Sequence, residues 1–470
     1  MPDRTGARTR VRQPTAVIVG GSATGLFAAA ALVEFFNVVI VERDALPDAP
    51  ERRRGLPQGD HAHLVWSGGV SALNELVPGL VDELVASGAR LTQIMGDMVS
   101  RAPNETWFRR FTSTHHANLV CSRHLFDHVL RQRVLKDERI TLRQNAVAHG
   151  LEGDATSVRG VRIRTGNSTE TLDAALVVDA SGRGSQAPRW LRDLGLPQVR
   201  EATVNAGVRY ATRLFEAPGR TADIAFPVVN VQANPAKPPG QGGVILPIEN
   251  GRWIVTLSGT RGGEPTDDPD AFVEFALGLS DPVIGELLRS ARPLGPVLTS
   301  RSTANRRRHY EEFRRWPDGF VVLGDAVARY NPTYGHGLTV AAQCALAVRD
   351  TLRSGNFHSP GTARHLQRAA SRPVAAAWSL AIGQDALYPG ATDAPPRPLD
   401  RLLARYLDRC VNTGATNPRA LGALLDVMSL ERAPSRLFAP DMIWPMLLGR
   451  RKRPLTAPPL TEGEMHAALS

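Results

Sequence analysis

Apolar positions near the start of the chain fall in short β-branched runs. Ala16-Val17-Ile18-Val19 is followed by two glycines, the run LFAAAALVEFF from Leu26, and then Val38-Val39-Ile40-Val41. Unbroken apolar runs of this length predict strands buried on both faces, and the longer alanine- and leucine-rich run predicts a helix between them. Two more such runs, Ala174–Asp179 and Gly319–Leu323, read as further buried strands. From Val204 the pattern alternates instead. VNAGVRYATRLFEA and GGVILPIENGRWIVTLSGT predict strands, the second a hairpin turning at Asn250-Gly251.

Elsewhere the period is helical. Residues 70–87 form a helical pattern broken at Pro78, residues 269–291 are helical, and the chain beyond 340 is mostly helix with proline-rich breaks near 389–398 and 454–459. Val99 to Phe111 reads as strand and loop. Leu119-Val120-Cys121 reads as a strand end, with Ser122 capping a helix whose stripe is Leu125, Val129 and Leu130. Thr141–Val147 and Val158–Arg164 read as paired strands, and Arg301–Arg308 as an extended polar stretch. Residues 1–14 read as a disordered arm. Parallel strands, intervening helices and a β-rich insert together predict an α/β fold.

Composition narrows this picture. The 470 residues are 42% apolar and 22% charged, the balance of a globular chain. The net charge of +10 is carried mainly by arginine. Arg52-Arg53-Arg54, Arg306-Arg307-Arg308 and Arg450-Arg451-Lys452-Arg453 are the local runs, without a nucleic-acid motif, and they read as solvated surface arginine with no nucleic-acid partner. The last run, after the apolar MIWPMLLG, is read as a plain C-terminal tail in preference to a membrane contact. Cys121, Cys344 and Cys410 are too far apart for a C-x-x-C motif. With no apolar leader and no run of about 18 apolar residues, the expected location is the cytoplasm, without a transmembrane segment.

The first chemistry lies in AVIVGGSATG. A strand, a tight glycine turn and a helix let the backbone approach a pyrophosphate, which rests on the free N–H groups and positive dipole of the helix. Glu42 ends the second strand 22 positions after Gly20, close to the ~20 expected for a carboxylate that accepts ribose hydroxyls. Ser22 stands where the fingerprint's middle glycine belongs. Glu42 disfavours a 2′-phosphate, leaving FAD or NAD.

Three later pieces point to the same ligand. Ser122-Arg123 opens a helix where a guanidinium can meet phosphate or ribityl oxygens. Asp179-Ala180-Ser181-Gly182-Arg183-Gly184-Ser185 follows a buried strand. Leu323-Gly324-Asp325-Ala326 ends another, and Asn331-Pro332-Thr333-Tyr334-Gly335-His336-Gly337 leads into a helix whose N-terminus can stabilise negative charge on a reduced flavin ring. His61 and His63 lack a third ligand at suitable spacing, so no metal is expected. Tyr210 and Trp253, on the β-rich insert, are each either core or pocket wall.

In this order and spacing, over roughly residues 15–345, the pieces resemble the group A flavoprotein monooxygenases, with the fold of p-hydroxybenzoate hydroxylase and squalene epoxidase. The family's middle motif usually contains D-G, which here is Asp179-Ala180. The strings RGLPQGDHAH from Arg54, GRWIVT from Gly251 and Tyr334-Gly335-His336-Gly337 are similar to the epoxidases of polyether-ionophore biosynthesis, of monensin and lasalocid type. The resemblance implies a Rossmann-like FAD-binding domain (15–65, 118–200 and 300–345), a β-sheet substrate domain (66–117 and 201–299) and a helical C-terminal region (346–470).

It further implies FAD held by Gly20, Ser22, Gly25 and Glu42 at the adenosine–pyrophosphate end, by Arg123 and Asp325 in the middle, and by Pro332, Gly335 and Gly337 beside the isoalloxazine. Gly21, Arg43, Val147, Asp179, Gly324 and Leu338 complete the expected cofactor set. Gln58, His61 and His336 are the candidates for contact with the reacting groups, and Trp253 and Tyr210 for substrate. The implied reaction is delivery of oxygen from a flavin C4a-hydroperoxide to alkenes of a lipophilic polyketide, as in antibiotic biosynthesis. Aromatic polyketide hydroxylation and a flavin-dependent reductase or dehydrogenase are the alternatives, and no W-x-W-x-I-P halogenase string is present. Electrons would come from NAD(P)H directly or through a separate flavin reductase.

Overall fold

The computed structural model describes residues 13–469 except 302, 356, 358, 393–397 and 449–452. The expected N-terminal arm, save its last two residues, and Arg450–Lys452 lie outside the described residues. The β-branched runs form β1 (Thr15–Val19), β2 (Asn37–Val41), β3 (Ile140–Arg143), β4 (Leu176–Asp179) and β5 (Phe320–Val322). They make one parallel sheet in the order β5-β4-β1-β2-β3, with Val17 opposite both Val39 and Val177. A parallel sheet needs both faces covered, which accounts for the unbroken apolar runs. Ile18, Val177 and Val321 are fully buried. Strand order reverses between β1 and β4, so the C-terminal ends of these strands frame a crevice where such sheets bind ligands.

The covering helices are α1 (Ala23–Leu32), α2 (Arg123–Val134), α3 (Gly337–Ser354) and α4 (Thr362–Asp385). Ser122 caps α2, accepting from the Leu125 N–H at 3.1 Å. α3 continues to Ser354, past the boundary expected at 345, and packs on both α1 and α4. One expected strand pair is corrected. Thr141–Val147 divides at Asn145, whose φ of 55° bends the chain. The residues before it join the parallel sheet through β3, and Ala146–Gly153 pairs instead with Val158–Thr165.

The β-rich insert is a six-stranded sheet of Arg292–Ser300, Arg209–Glu216, Arg252–Gly259, Gln241–Ile248, Val228–Val231 and Met98–Arg101, in that order. Its hairpin turns at Asn250 and Gly251, both left-handed at φ 63° and 61°. Alternation gives the sheet two faces. Ala211, Phe215, Trp253, Val255 and Leu257 share an outer core with Phe272 and Ile284 of two short helices. Leu214, Val244, Leu246 and Ile254 pack on the opposite face, against Leu64, Trp66, Met95, Leu421 and Leu425. The three cysteines are buried and free. No helix among the described residues is long and apolar enough to cross a membrane.

Candidate functional site

Gly20 adopts φ +109°, and a Cβ there would lie 2.6 Å from the Ala180 carbonyl oxygen; at Gly25 it would lie 1.8 Å from the Gly20 carbonyl oxygen. Only glycine lets β1, the start of α1 and the loop after β4 approach this closely. Ser22 stands at the N-cap of α1 without a side-chain capping bond, so it leaves the first N–H groups of the helix uncapped. The Ser22 hydroxyl instead accepts from Arg123 Nη2 at 3.2 Å, while Arg123 Nε is buried with no partner. Gly324 abuts the Thr24 side chain, bringing the Gly324-Asp325 turn to the same helix start. The four separated motifs therefore meet at one crevice.

Glu42 is buried and already engaged. Its Oε2 accepts from the Gly21 N–H at 2.8 Å and from Arg53 Nη2 at 3.3 Å, and its Oε1 accepts from the Asp44 N–H at 3.0 Å. Of about four acceptor positions on a carboxylate, one remains. Arg53 was not singled out in the sequence, where it sits in a run read as surface arginine. It is 5% exposed and also donates to Asp127 Oδ2 at 2.6 Å. Its partners lie 11 and 74 residues away, which no local pattern announces. Arg307 and Arg308 are buried too, so the surface reading fails for them. Arg43 is exposed and pairs weakly with Asp44. Val147 is 39% exposed beside the end of β2, where the Ala146 N–H donates to the Glu42 carbonyl at 2.9 Å.

Asp179 is fully buried, and burial pushes its carboxyl pKa up. Both oxygens are taken up by its own loop, Oδ1 by the Ser181 N–H at 2.9 Å and Oδ2 by the Ser185 hydroxyl at 2.6 Å, so it shapes the turn and does not face the crevice. Asp325 differs. It is half-buried, its carboxylate accepts no hydrogen bond from the described residues, and burial raises its pKa against the opposing pull of Arg183, Arg123 and Arg329.

The loop before α3 is held from below. Asn331 is buried and donates to Asp385 Oδ2 at 3.0 Å, Tyr334 donates to Asp385 Oδ1 at 2.7 Å, and Asn305 donates to Asp385 Oδ2 at 2.6 Å. Tyr210 donates its hydroxyl proton to Asn331 Oδ1 and accepts from the Thr333 N–H at 2.9 Å. Tyr210 thus anchors the loop and is not an open wall. Asp385 and Asn305, distant in sequence, carried no motif signal. Above this network the loop presents Pro332 and Gly337 to open space; a Cβ on Gly337 would meet nothing within 4 Å, and Leu338 is buried behind it. Gly335 (φ +64°) lies against Trp66, whose Nε1 donates to the Tyr334 carbonyl at 2.8 Å.

Three candidates for chemistry are placed differently from one another. His336 is buried, donates Nε2–H to the Met428 carbonyl at 2.9 Å, and burial brings its pKa down to about 4. It anchors the C-terminal region. His61 is bound through Nδ1 to Thr212 at 2.7 Å, Thr212 to Thr256 at 2.7 Å, and Thr256 accepts from the Ala62 N–H at 3.1 Å, tying the loop to the inner sheet face. Burial lowers the His61 pKa. Gln58 is half-buried on the turn Pro57–Asp60, with no side-chain hydrogen bond among the described residues. His63, read in the sequence only as a possible metal ligand, donates Nδ1–H to the His61 carbonyl at 2.8 Å. Burial, aided by nearby Arg123, holds its pKa at about 3, leaving it a neutral ring. Trp253 is 1% exposed and stacks on Phe226 in the outer core, so it belongs to packing and not to a substrate wall.

The donor set fits FAD. The uncapped start of α1, the Arg123 guanidinium that reaches Ser22 and keeps a buried Nε without a partner among the described residues, the Asp325 carboxylate near Arg123 and the open space over Gly337 are groups such a cofactor needs. The sequence profile of a family described as FAD binding domain matches residues 13–354. A relative, Protein Rv3254 of Mycobacterium tuberculosis, is 32% identical over 399 residues, covering 81% of this chain and 82% of the relative. Among solved structures, p-nitrophenol 4-monooxygenase PnpA from Pseudomonas putida has TM-score 0.61 at 16% identity, covering 89% of this chain and 98% of that one. The flavin-dependent halogenase CmlS has TM-score 0.61 at 16% identity, covering 90% of this chain and 77% of that one.

Proposed function

The chain belongs to the FAD binding domain family, and on that premise we propose that it is an FAD-dependent monooxygenase epoxidising alkenes of a lipophilic polyketide intermediate. The observation that carries the reading is the meeting of four motifs at one crevice, beside a sheet whose inner face carries an apolar cluster that includes Leu214 and Val244. FAD, when bound, supplies the redox and oxygen chemistry.

The chain's own groups bind and orient. The free N–H groups of α1 and the Arg123 guanidinium hold the pyrophosphate. Glu42 and Val147 flank the adenosine, and Asp325 accepts from ribityl hydroxyls. The N-terminus of α3, with Pro332 and Gly337, faces the ring and favours negative charge there. Leu214 and Val244, half-buried on the inner face, supply an apolar wall that suits a lipophilic substrate and excludes water. Reaction of a polyene needs no acid–base triad, consistent with His61 and His336 being committed to structural bonds. We assign FAD to residues 15–65, 118–200 and 300–345, substrate to 66–117 and 201–299, electrons to NAD(P)H or a partner flavin reductase, and the protein to the cytoplasm.

The test is mass spectrometry of products from candidate polyenes under labelled dioxygen, with NADPH alone and then with added reductase. One label per epoxide supports the assignment. A labelled phenol from an aromatic polyketide moves it to hydroxylation, and turnover without oxygen uptake moves it to a reductase.

A further inference from the structure

His115, His116, Asp426 and Glu431 place one ligand atom each within 4.8 Å of one another. The two histidines precede the strand Ala117–Val120, Asp426 lies on the helix Pro418–Met428, and Glu431 follows that helix. His116 Nε2 lies 3.0 Å from Asp426 Oδ1 and 3.9 Å from Glu431 Oε2; His115 Nε2 lies 3.9 and 3.6 Å from the same atoms. Only the first is short enough for a hydrogen bond. A tetrahedral ion with bonds of about 2.0–2.2 Å holds its ligand atoms about 3.3–3.6 Å apart, the range these separations bracket.

The remaining oxygens are already fixed from outside. Asp426 Oδ2 accepts from Arg436 Nε at 2.7 Å, and Glu431 Oε1 accepts from the Ser67 hydroxyl at 2.5 Å. Those bonds turn Oδ1 and Oε2 towards the imidazoles, as outer partners do around metal ligands. We propose that these four side chains bind a divalent transition-metal cation of the zinc class. Two imidazoles disfavour magnesium and calcium, and two carboxylates balance the charge. With four protein ligands the site is structural. It clamps the C-terminal helices onto the core, where Met428 and Leu430 carbonyls already accept from His336 and Gln343 of the flavin-loop region.

The experiment uses the full, untagged chain, chelator-treated and titrated with zinc alone and with cobalt(II) alone. The expected result is one metal per chain, visible cobalt bands of tetrahedral intensity, and a zinc-dependent rise of several degrees in the unfolding midpoint. His115 is an exposed ring packed edge-on against His116, so His115→Ala keeps the metal-free midpoint and far-UV spectrum of the wild type. His115→Ala and Glu431→Gln each lose the cobalt bands and the zinc shift. Absence of stoichiometric binding, or equal binding by His115→Ala, overturns the site.

Discussion

Arg123 donates to the Ser22 hydroxyl at 3.2 Å, joining two helix starts that lie 101 residues apart. The serine that interrupts the glycine fingerprint is therefore the acceptor for the arginine expected at the pyrophosphate. Arg123→Ala removes a charge-assisted contact, and FAD affinity falls about ten- to hundredfold. The fold survives, because Asp127 keeps its 2.6 Å bond to Arg53. Ser22→Gly leaves affinity within a fewfold of wild type. Fluorescence titration of the apoprotein with FAD distinguishes the two, and equal affinities in all three proteins would sink the assignment of Arg123.

Two glycines at helix starts make opposite predictions. Gly25→Ala drives a Cβ into the Gly20 carbonyl, a backbone atom that cannot turn aside, so the protein loses its folded core or is recovered without flavin. Gly337→Ala meets nothing. Its apoprotein is as stable as wild type or slightly more so, since alanine gains about 0.5–1 kcal/mol over glycine in a helix. The methyl instead occupies space assigned to the ring, and the bound-flavin spectrum and affinity change. Thermal melts with and without FAD read both outcomes.

What could be read from the sequence was local. β1, α1 and β2 are set by neighbouring residues, and the Ser122 cap and the Asn250-Gly251 turn likewise need only a few positions each. The pairing of Arg53 with Glu42 and Asp127, the Asp385 acceptor beneath the flavin loop, and the attachment of His336 to Met428 depend on elements that meet only in the folded chain. The roles of Tyr210 and Trp253 needed one further fact. Phe215 sits opposite Trp253, and counting back by twos from Phe215 reaches Ala211, leaving Tyr210 on the other face. Alternation was visible from sequence; which face met the crevice was not.

His336 gives a signed pH dependence. Its folded pKa of about 4 lies below the unfolded value near 6.5, so the unfolded chain binds more protons between these limits. The stability tied to neutral His336 is complete above pH 6.5 and is lost as pH falls towards 4, a change on the order of 3 kcal/mol. His336→Gln can still donate to the Met428 carbonyl but does not titrate. Urea midpoints measured across pH 4–7 should fall less steeply in the variant; His63, shifted in the same direction, leaves a residual slope. Parallel curves would remove His336 as the source.

The two faces of the six-stranded sheet separate stability from turnover. Trp253→Ala opens a cavity in the outer core beside Phe226 and costs about 3–5 kcal/mol in denaturant unfolding, while the folded fraction keeps its flavin spectrum. Thr256→Val conserves shape on the inner face but deprives the Ala62 N–H of its partner and leaves the Thr212 hydroxyl only its bond to His61. Leaving such a donor unpaired costs about 1–3 kcal/mol. That cost falls on the loop carrying Gln58, His61 and His63, next to the proposed reaction space. The expected signature is oxygen uptake that continues while product per oxygen consumed declines. If Thr256→Val loses only stability, or Trp253→Ala shows the same uncoupling in its folded fraction, the inner face is not where substrate is held.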